Sequence, residues 1–161
     1  GHRPARPRFP GLRLEVVGEN RTHPSLDFEG LTRTLGIEGR VRFTGFLDEV
    51  GLAIRYAAAD VAVSLSEYEG FGLPALEALS RGVPLVVSDR PSLSEIFGGA
   101  ALVVDPQDDV GVAAALARLL SDPVLACDLQ DRGRALASRY SWQETARLTR
   151  DALLAAAGRG D

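Results

Sequence analysis

Two carboxylates, Glu69 and Glu77, stand eight positions apart in the run Glu-Gly-Phe-Gly-Leu-Pro-Ala-Leu-Glu. Asp60 to Leu65 is a short apolar run of strand type, and Leu73 to Leu79 carries apolar residues at helical spacing, so residues 66–72 read as a strand-to-helix loop. Pro74 suits the first turn of that helix, where its missing N–H costs nothing. Gly70 and Gly72 let a ligand approach the backbone closely, and the N–H groups of Phe71, Gly72 and Leu73 form an anion site that the helix dipole strengthens. A phosphate fits that site. Glu77, expected on the first turn, is placed to accept hydrogen bonds from a neutral diol such as a ribose, and Glu69, on the loop, can reach a second polyol. The same residues have a plainer reading. Glutamates near helix starts complement the dipole, and Gly-Phe-Gly before a helix is often only a turn.

The elements that would hold this loop follow from hydrophobic periodicity. Strand-like runs lie near Leu12 to Val17, Val41 to Thr44, Val61 to Leu65, Pro84 to Ser88 and Ala101 to Val104. Helical runs lie near Ser25 to Leu35, Asp48 to Ala58, Leu73 to Arg81, Leu93 to Phe97 and Asp109 to Leu120. Strands alternating with helices in this way predict an α/β fold, a Rossmann-like parallel sheet of about five strands with flanking helices. After Val104 only helices are expected. One opens at Asp122-Pro123 and runs to about Ser138. The last runs from a capping box, Ser141 as N-cap with Glu144 at N3, to about Ala157, with Trp142 as its packing anchor.

Composition is that of one globular domain. The chain has 161 residues, 45% hydrophobic and 25% charged, enough to bury a core. Its net charge of -4 argues against a nucleic-acid partner despite the basic start. Cys127 is the single cysteine, so an internal disulfide is excluded, and it reads as a buried or partly exposed structural thiol. No apolar run reaches membrane-spanning length and no signal peptide is visible, which points to a cytoplasmic setting, with a larger parent free to rest on a membrane surface. No His/Asp/Glu cluster has metal-ligand spacing. Of the two histidines, His2 and His23, the latter precedes Pro24 and reads as a solvated turn residue.

The Glu69 to Glu77 segment resembles the E-x7-E signature of the family 4 retaining glycosyltransferases, two-domain GT-B enzymes that use nucleotide-sugar donors. Residues 12–19, 40–46, 58–65, 80–89 and 100–106 are similar to successive blocks of that family's C-terminal, donor-binding domain, in the family's order. The resemblance therefore covers residues 12–161, and residues 1–11, rich in Arg and Pro, read as an extended arm or tag remnant. It implies that the donor pyrophosphate meets the amides of Phe71, Gly72 and Leu73, with Gly70 also donor-binding, that Glu77 takes the ribose hydroxyls, and that Glu69, the catalytic position, holds hydroxyls of the transferred sugar. Phe43, Thr44, Gly45 and Phe46 would line the base pocket, and Gly18 and Glu19 would border the diphosphate. No metal and no other cofactor is implied; the nucleotide-sugar is a co-substrate. Retention in the family is attributed to attack from the leaving-group face, so the two carboxylates are not the acid and nucleophile of a glycoside hydrolase.

The chain departs from the family at its start. The family's donor domain opens with a strand, a Gly-Arg-like turn and a lysine that neutralise the diphosphate, and nothing before Leu12 matches them. In a sheet of order 3-2-1-4-5-6 that strand is central. Without it, the strands near Leu12 and Val61 either pair directly in a reordered sheet or flank a gap that invites self-association. The acceptor-binding N-terminal domain is likewise absent, so the chain alone is expected to bind donor and transfer nothing. Two alternatives remain: a non-catalytic nucleotide-sugar binding module or partner subunit, and a Rossmann-type oxidoreductase. The second needs a G-x-G-x-x-G that Val17 to Asn20 does not supply.

Overall fold

Every expected strand and helix forms, and the alternation of the two is kept. The structure, a computed structural model, describes residues 9–20 and 24–158. In chain order the elements are β1 (Leu14–Val17), α1 (Phe28–Thr34), a 3-10 turn (Glu38–Arg40), β2 (Val41–Gly45), α2 (Glu49–Ala58), β3 (Ala62–Ser64) and α3 (Leu73–Ser80). There follow β4 (Leu85–Ser88), α4 (Pro91–Phe97), β5 (Leu102–Val104), α5 (Asp109–Ser121), α6 (Pro123–Ala137) and α7 (Trp142–Ala157).

All pairings are parallel, but the strands form two sheets, β1-β2 and β3-β4-β5. Among the described residues β1 ladders with β2 alone and β3 with β4 alone. By internal contacts the chain divides into two compact units, Gly1–Ala53 and Ile54–Asp161. The division falls within α2.

The first unit is thinly covered. Two strands and one short helix offer little to bury, and Leu14, Val16, Val17, Leu31 and Leu35 all stay exposed. Only Thr32 is buried among its described residues, with its hydroxyl donating to the Glu29 carbonyl at 2.8 Å.

The second unit is organised by β4. All four of its residues are buried, and successive side chains serve opposite faces. Leu85 and Val87 join one core with Ala78 and Leu79 of α3, Leu93 and Phe97 of α4 and Ala137 of α6. Val86 joins a second core with Leu119 of α5 and Leu129 of α6. Helices thus cover both faces, as parallel strands require. α3 and α6 approach closely because Gly133 lies at the crossing, where a Cβ would sit 2.8 Å from Leu79 Cδ2.

Helix starts follow their capping side chains. α1 begins at Phe28, later than Ser25, because Asp27 accepts from the Gly30 N–H at 2.7 Å and so fixes the first turn there. Ser141 caps α7, accepting from the Glu144 N–H at 3.1 Å, while the Glu144 carboxylate is held by Arg147 at 2.6 and 2.8 Å. Trp142 is no packing anchor. It is 76% exposed, because α7 has no buried residue and nothing among the described residues covers its first turn. Cys127 is exposed on α6. The proposed arm lies outside the described residues up to position 8, and the remainder turns at Pro10-Gly11, where the Leu12 N–H reaches the Phe9 carbonyl at 3.2 Å. His2 and His23 also lie outside the described residues.

These burials separate two aromatic substitutions that composition alone would rank together. Phe97→Ala removes a fully buried ring and should cost about 3 to 5 kcal/mol. Trp142→Ala should stay within about 0.5 kcal/mol of the parent chain. Chemical denaturation followed by circular dichroism checks both.

Candidate functional site

The loop carrying Glu69 leaves β3 at Ser64 and is fastened at its second and third residues, Ser66 and Glu67. β3 and β4 pair in register as far as Ser64 and Val87. One residue further, the fully buried Ser88 donates its hydroxyl to the Ser66 carbonyl at 2.8 Å, holding the departing chain against the end of β4. The Ser66 hydroxyl in turn donates to Glu69 Oε1 at 2.9 Å. The next residue, Glu67, takes Arg90 Nε at 2.7 Å and Gln107 Nε2 at 3.2 Å. Arg90 also pairs with Asp89 at 2.8 Å and Asp105 at 3.6 Å. The segments after β3, β4 and β5 are thereby tied together at the carboxyl edge of the sheet, the edge where open α/β sheets receive ligands. Hydrogen bonds from Arg90 and then Gln107 hold the Glu67 carboxyl below its usual value of 4.5. The stabilisation from this tie is therefore present above the usual carboxylate value and is lost as pH falls through the lowered one.

The turn into α3 depends on Gly72. It is the N-cap, at φ +88°, a left-handed conformation that side chains rarely adopt. A Cβ there would lie 2.6 Å from Leu93 Cδ2 and 3.0 Å from Phe97 Cε2. Phe71 turns its ring into the protein, edge-on to Phe97 at 6.3 Å and to Tyr140 at 5.2 Å. The first helical bond runs from the Leu76 N–H to the Gly72 carbonyl at 3.1 Å, which leaves the Leu73 and Ala75 amides without an acceptor inside the helix. With a glycine as N-cap, no side chain caps them either. Gly70 differs from Gly72: it is exposed, has an ordinary φ, and a Cβ on it would meet nothing within 4 Å.

Glu77 lies on the second turn of α3, not the first, because the helix already starts at Leu73. It is half-buried, as is Glu69. The start of α3 is braced by Tyr56, whose hydroxyl donates to the Pro74 carbonyl at 3.0 Å. Burial, and then the negative charge of Glu77, raise the Tyr56 pKa, opposed by Arg81. The phenol is thus kept in its donor form. The Arg81 guanidinium sits 5.1 Å from the centre of the Tyr56 ring.

The remaining expected site residues belong to the first unit. Gly18 and Gly45, at the ends of β1 and β2, are joined by a hydrogen bond from the Gly18 N–H to the Gly45 carbonyl at 2.8 Å. The ladder slips between Val16 and Val17, which pair with Phe43 and Gly45 and leave Thr44 as the extra residue of a bulge. The Thr44 hydroxyl donates to the Val16 carbonyl at 3.4 Å. Phe43 stacks on Phe28 of α1 with ring centres 6.4 Å apart, whereas Phe46 is 81% exposed. Glu19 is exposed beside Gly18. Each unit thus gathers its own group: Gly18, Glu19 and Phe43–Phe46 in the first, and Glu69 to Glu77 in the second.

Residue patterns had not singled out Ser66, Ser88, Tyr56, Glu67 or Arg90. Ser88 carried the only available signal, a hydroxyl closing the apolar run Pro84 to Val87. Among the described residues no group of three or more His, Cys, Asp or Glu side chains could hold a metal ion.

Comparison with known proteins bears directly on this arrangement. The family described as Glycosyl transferases group 1 matches residues 4–136. A curated relative, glycogen synthase from Mycobacterium tuberculosis, is 39% identical over 153 residues, covering 91% of this chain and 36% of its own length. Sucrose-phosphate synthase from Thermosynechococcus elongatus superposes with a TM-score of 0.76 at 32% identity, covering 89% of this chain and 39% of that one. HepE from Anabaena, solved in complex with UDP, has a TM-score of 0.73 at 22% identity over 91% of this chain and 42% of its own, a likeness of fold alone. The chain therefore spans little more than a third of the length of these relatives.

The two glycines of the loop should respond differently to a methyl group. Gly72→Ala combines a left-handed backbone with contact against Leu93 and Phe97 and should destabilise the chain by about 1 to 3 kcal/mol or more. Gly70→Ala should change stability by less than about 0.5 kcal/mol. Urea denaturation of the two variants makes the comparison.

Proposed function

The chain belongs to the group 1 glycosyl transferases, and from that premise we propose that it is the donor-binding part of a retaining enzyme. The parent would transfer a sugar from a nucleotide-sugar to an acceptor, in polysaccharide or glycolipid synthesis. The observation that carries this reading is the start of α3, where a glycine N-cap leaves backbone amides uncapped on the same loop-helix segment as two half-buried carboxylates. Amides without partners and aligned with a helix dipole suit a diphosphate. Carboxylates, which only accept, suit sugar hydroxyls.

In this reading the amides of Phe71, Gly72 and Leu73 hold the pyrophosphate, with Gly70 leaving room beside them, and Glu77 accepts from the ribose. Glu69 accepts from hydroxyls of the transferred sugar. Gly18 and Glu19 border the diphosphate, and Phe43 to Phe46 border the base, chiefly through backbone groups. As the bond from the anomeric carbon to the leaving phosphate oxygen breaks, negative charge grows on the nucleoside diphosphate and positive charge on the sugar. Preoriented amide dipoles stabilise the first without reorganising. The acceptor hydroxyl then attacks the anomeric carbon on the face the phosphate leaves and passes its proton to the departing phosphate oxygen, so configuration is retained, and the acceptor is held by the part of the parent outside this chain. Among the described residues β1 and β3 each have a ladder on one side only, and this, with the exposed apolar residues of the first unit, makes self-association of the isolated chain part of the proposal. Light scattering at rising concentration should report species above the monomer mass; a single monomeric species throughout would remove that part.

Calorimetric titration of the chain with UDP, GDP and ADP, each with and without its sugar, tests the donor site. Millimolar or tighter binding of one nucleotide is expected. Glu77→Ala should weaken that nucleotide by about 1.5 to 3 kcal/mol, the worth of a charged hydrogen bond. Glu69→Ala should spare the free nucleoside diphosphate and weaken only the sugar-bearing donor. Equal losses for both ligands at Glu69 would refute the division of roles, and no binding of any nucleotide would overturn the donor site in this chain.

A further inference from the structure

Ser66 makes a hydrogen bond that the loop backbone does not need. Serine in a loop ordinarily turns its hydroxyl to a neighbouring backbone group, which stabilises the turn itself. Here it goes to a side chain, Oε1 of Glu69 at 2.9 Å, three residues on. The loop is already fastened by other contacts: the Ser66 carbonyl accepts from buried Ser88, and Glu67 is clamped by Arg90 and Gln107. The hydroxyl therefore adds little to the path of the chain, and what it fixes is the direction of one carboxylate. Ser66 is itself immobilised at the backbone by a residue with no solvent exposure, so it is a firm post to tie a flexible side chain to.

We propose that Ser66 is the positioning residue for Glu69, with Ser88 acting through it, and that the pair presets the carboxylate for the hydroxyls of the transferred sugar. The proposal rests on the reading of Glu69 given above. A serine hydroxyl has one proton, and giving it to Oε1 leaves Oε2 and the second lone pair of Oε1 to accept from a ligand. A glutamate has several rotatable bonds, and one already held in its binding rotamer loses less entropy when the sugar arrives. The consequence is selective: Ser66 supports recognition of the sugar rather than of the nucleotide, whose diphosphate is assigned to amides further along the loop.

The test uses the full chain with UDP and UDP-glucose as probes, in parallel with nuclear magnetic resonance of the ligand-free protein. Ser66→Ala should lower affinity for UDP-glucose by about threefold to tenfold, the net worth of one hydrogen bond, and lower that for UDP by less. Ser66→Thr, which keeps the hydroxyl, should restore the preference for the sugar-bearing ligand. If Glu69→Ala removes that preference and Ser66→Ala does not, the positioning role is wrong and the reading of Glu69 stands. If neither variant alters it, the sugar-binding role of Glu69 fails and the positioning role fails with it. Should neither probe bind, the ligand-free spectra decide: side-chain couplings of Glu69 should report one dominant rotamer in the parent chain and in Ser66→Thr, and averaging in Ser66→Ala. Averaging in the parent chain itself would overturn the proposal.

Discussion

The second unit is built on the burial of β4 from both sides. A strand covered on two faces must supply apolar side chains in both directions, and Leu85, Val86 and Val87 do so, each committed to one of two helix-lined cores. Interiors are packed as tightly as molecular crystals, so a strand held in this way has little freedom to slide or tilt. That rigidity is inherited by its last residue. Ser88 continues the alternation but ends in a hydroxyl, and its bond to the Ser66 carbonyl carries the position of β4 into the loop beyond β3. The orientation of a carboxylate near the surface thus traces back, through two serines, to the packing of valines.

Two kinds of support act on that loop, and they differ in strength and in sensitivity to solution conditions. The charged network of Glu67, Arg90, Asp89 and Asp105 is solvent-facing, and pairs of that kind are weakened by salt and are individually worth little. Its value lies in joining three successive loops through one guanidinium. The Ser88 bond is neutral and is made by a fully buried residue, so ionic strength has little hold on it, and leaving the serine hydroxyl without its acceptor would cost the desolvation of that group. The loop is therefore located by the Ser88 bond and trimmed by the charges.

Much of this arrangement was legible in the residues, because strand and helix periods are set by burial and the second unit buries strongly. The five strands and their order along the chain follow from short apolar runs, and the Ser141 cap follows from a side chain next to a helical pattern. α1 starts at Phe28 rather than Ser25 because the Asp27 side chain caps it, a contact that hydrophobic periodicity does not register. Trp142 misled for a different reason: a large apolar ring says that something should cover it, but not that the covering surface lies within the same chain. The bonds of Ser88, Tyr56 and Arg90 were illegible because their partners are 22, 18 and 23 positions away in sequence and come within reach only when the sheet assembles. The glycine turn and the two carboxylates stood out because they are neighbours in sequence as well as in space.

Gly70 and Gly72 look alike in the sequence, and the fold makes different demands on them. At position 72 the fold itself forbids a side chain, so any lineage that keeps this packing of Leu93 and Phe97 keeps the glycine, whatever ligand it has come to use. At position 70 the fold is indifferent, and a side chain there would stand in open space. Loss of the glycine at position 72 would report loss of the structure; loss of the one at position 70 would leave the fold as it is.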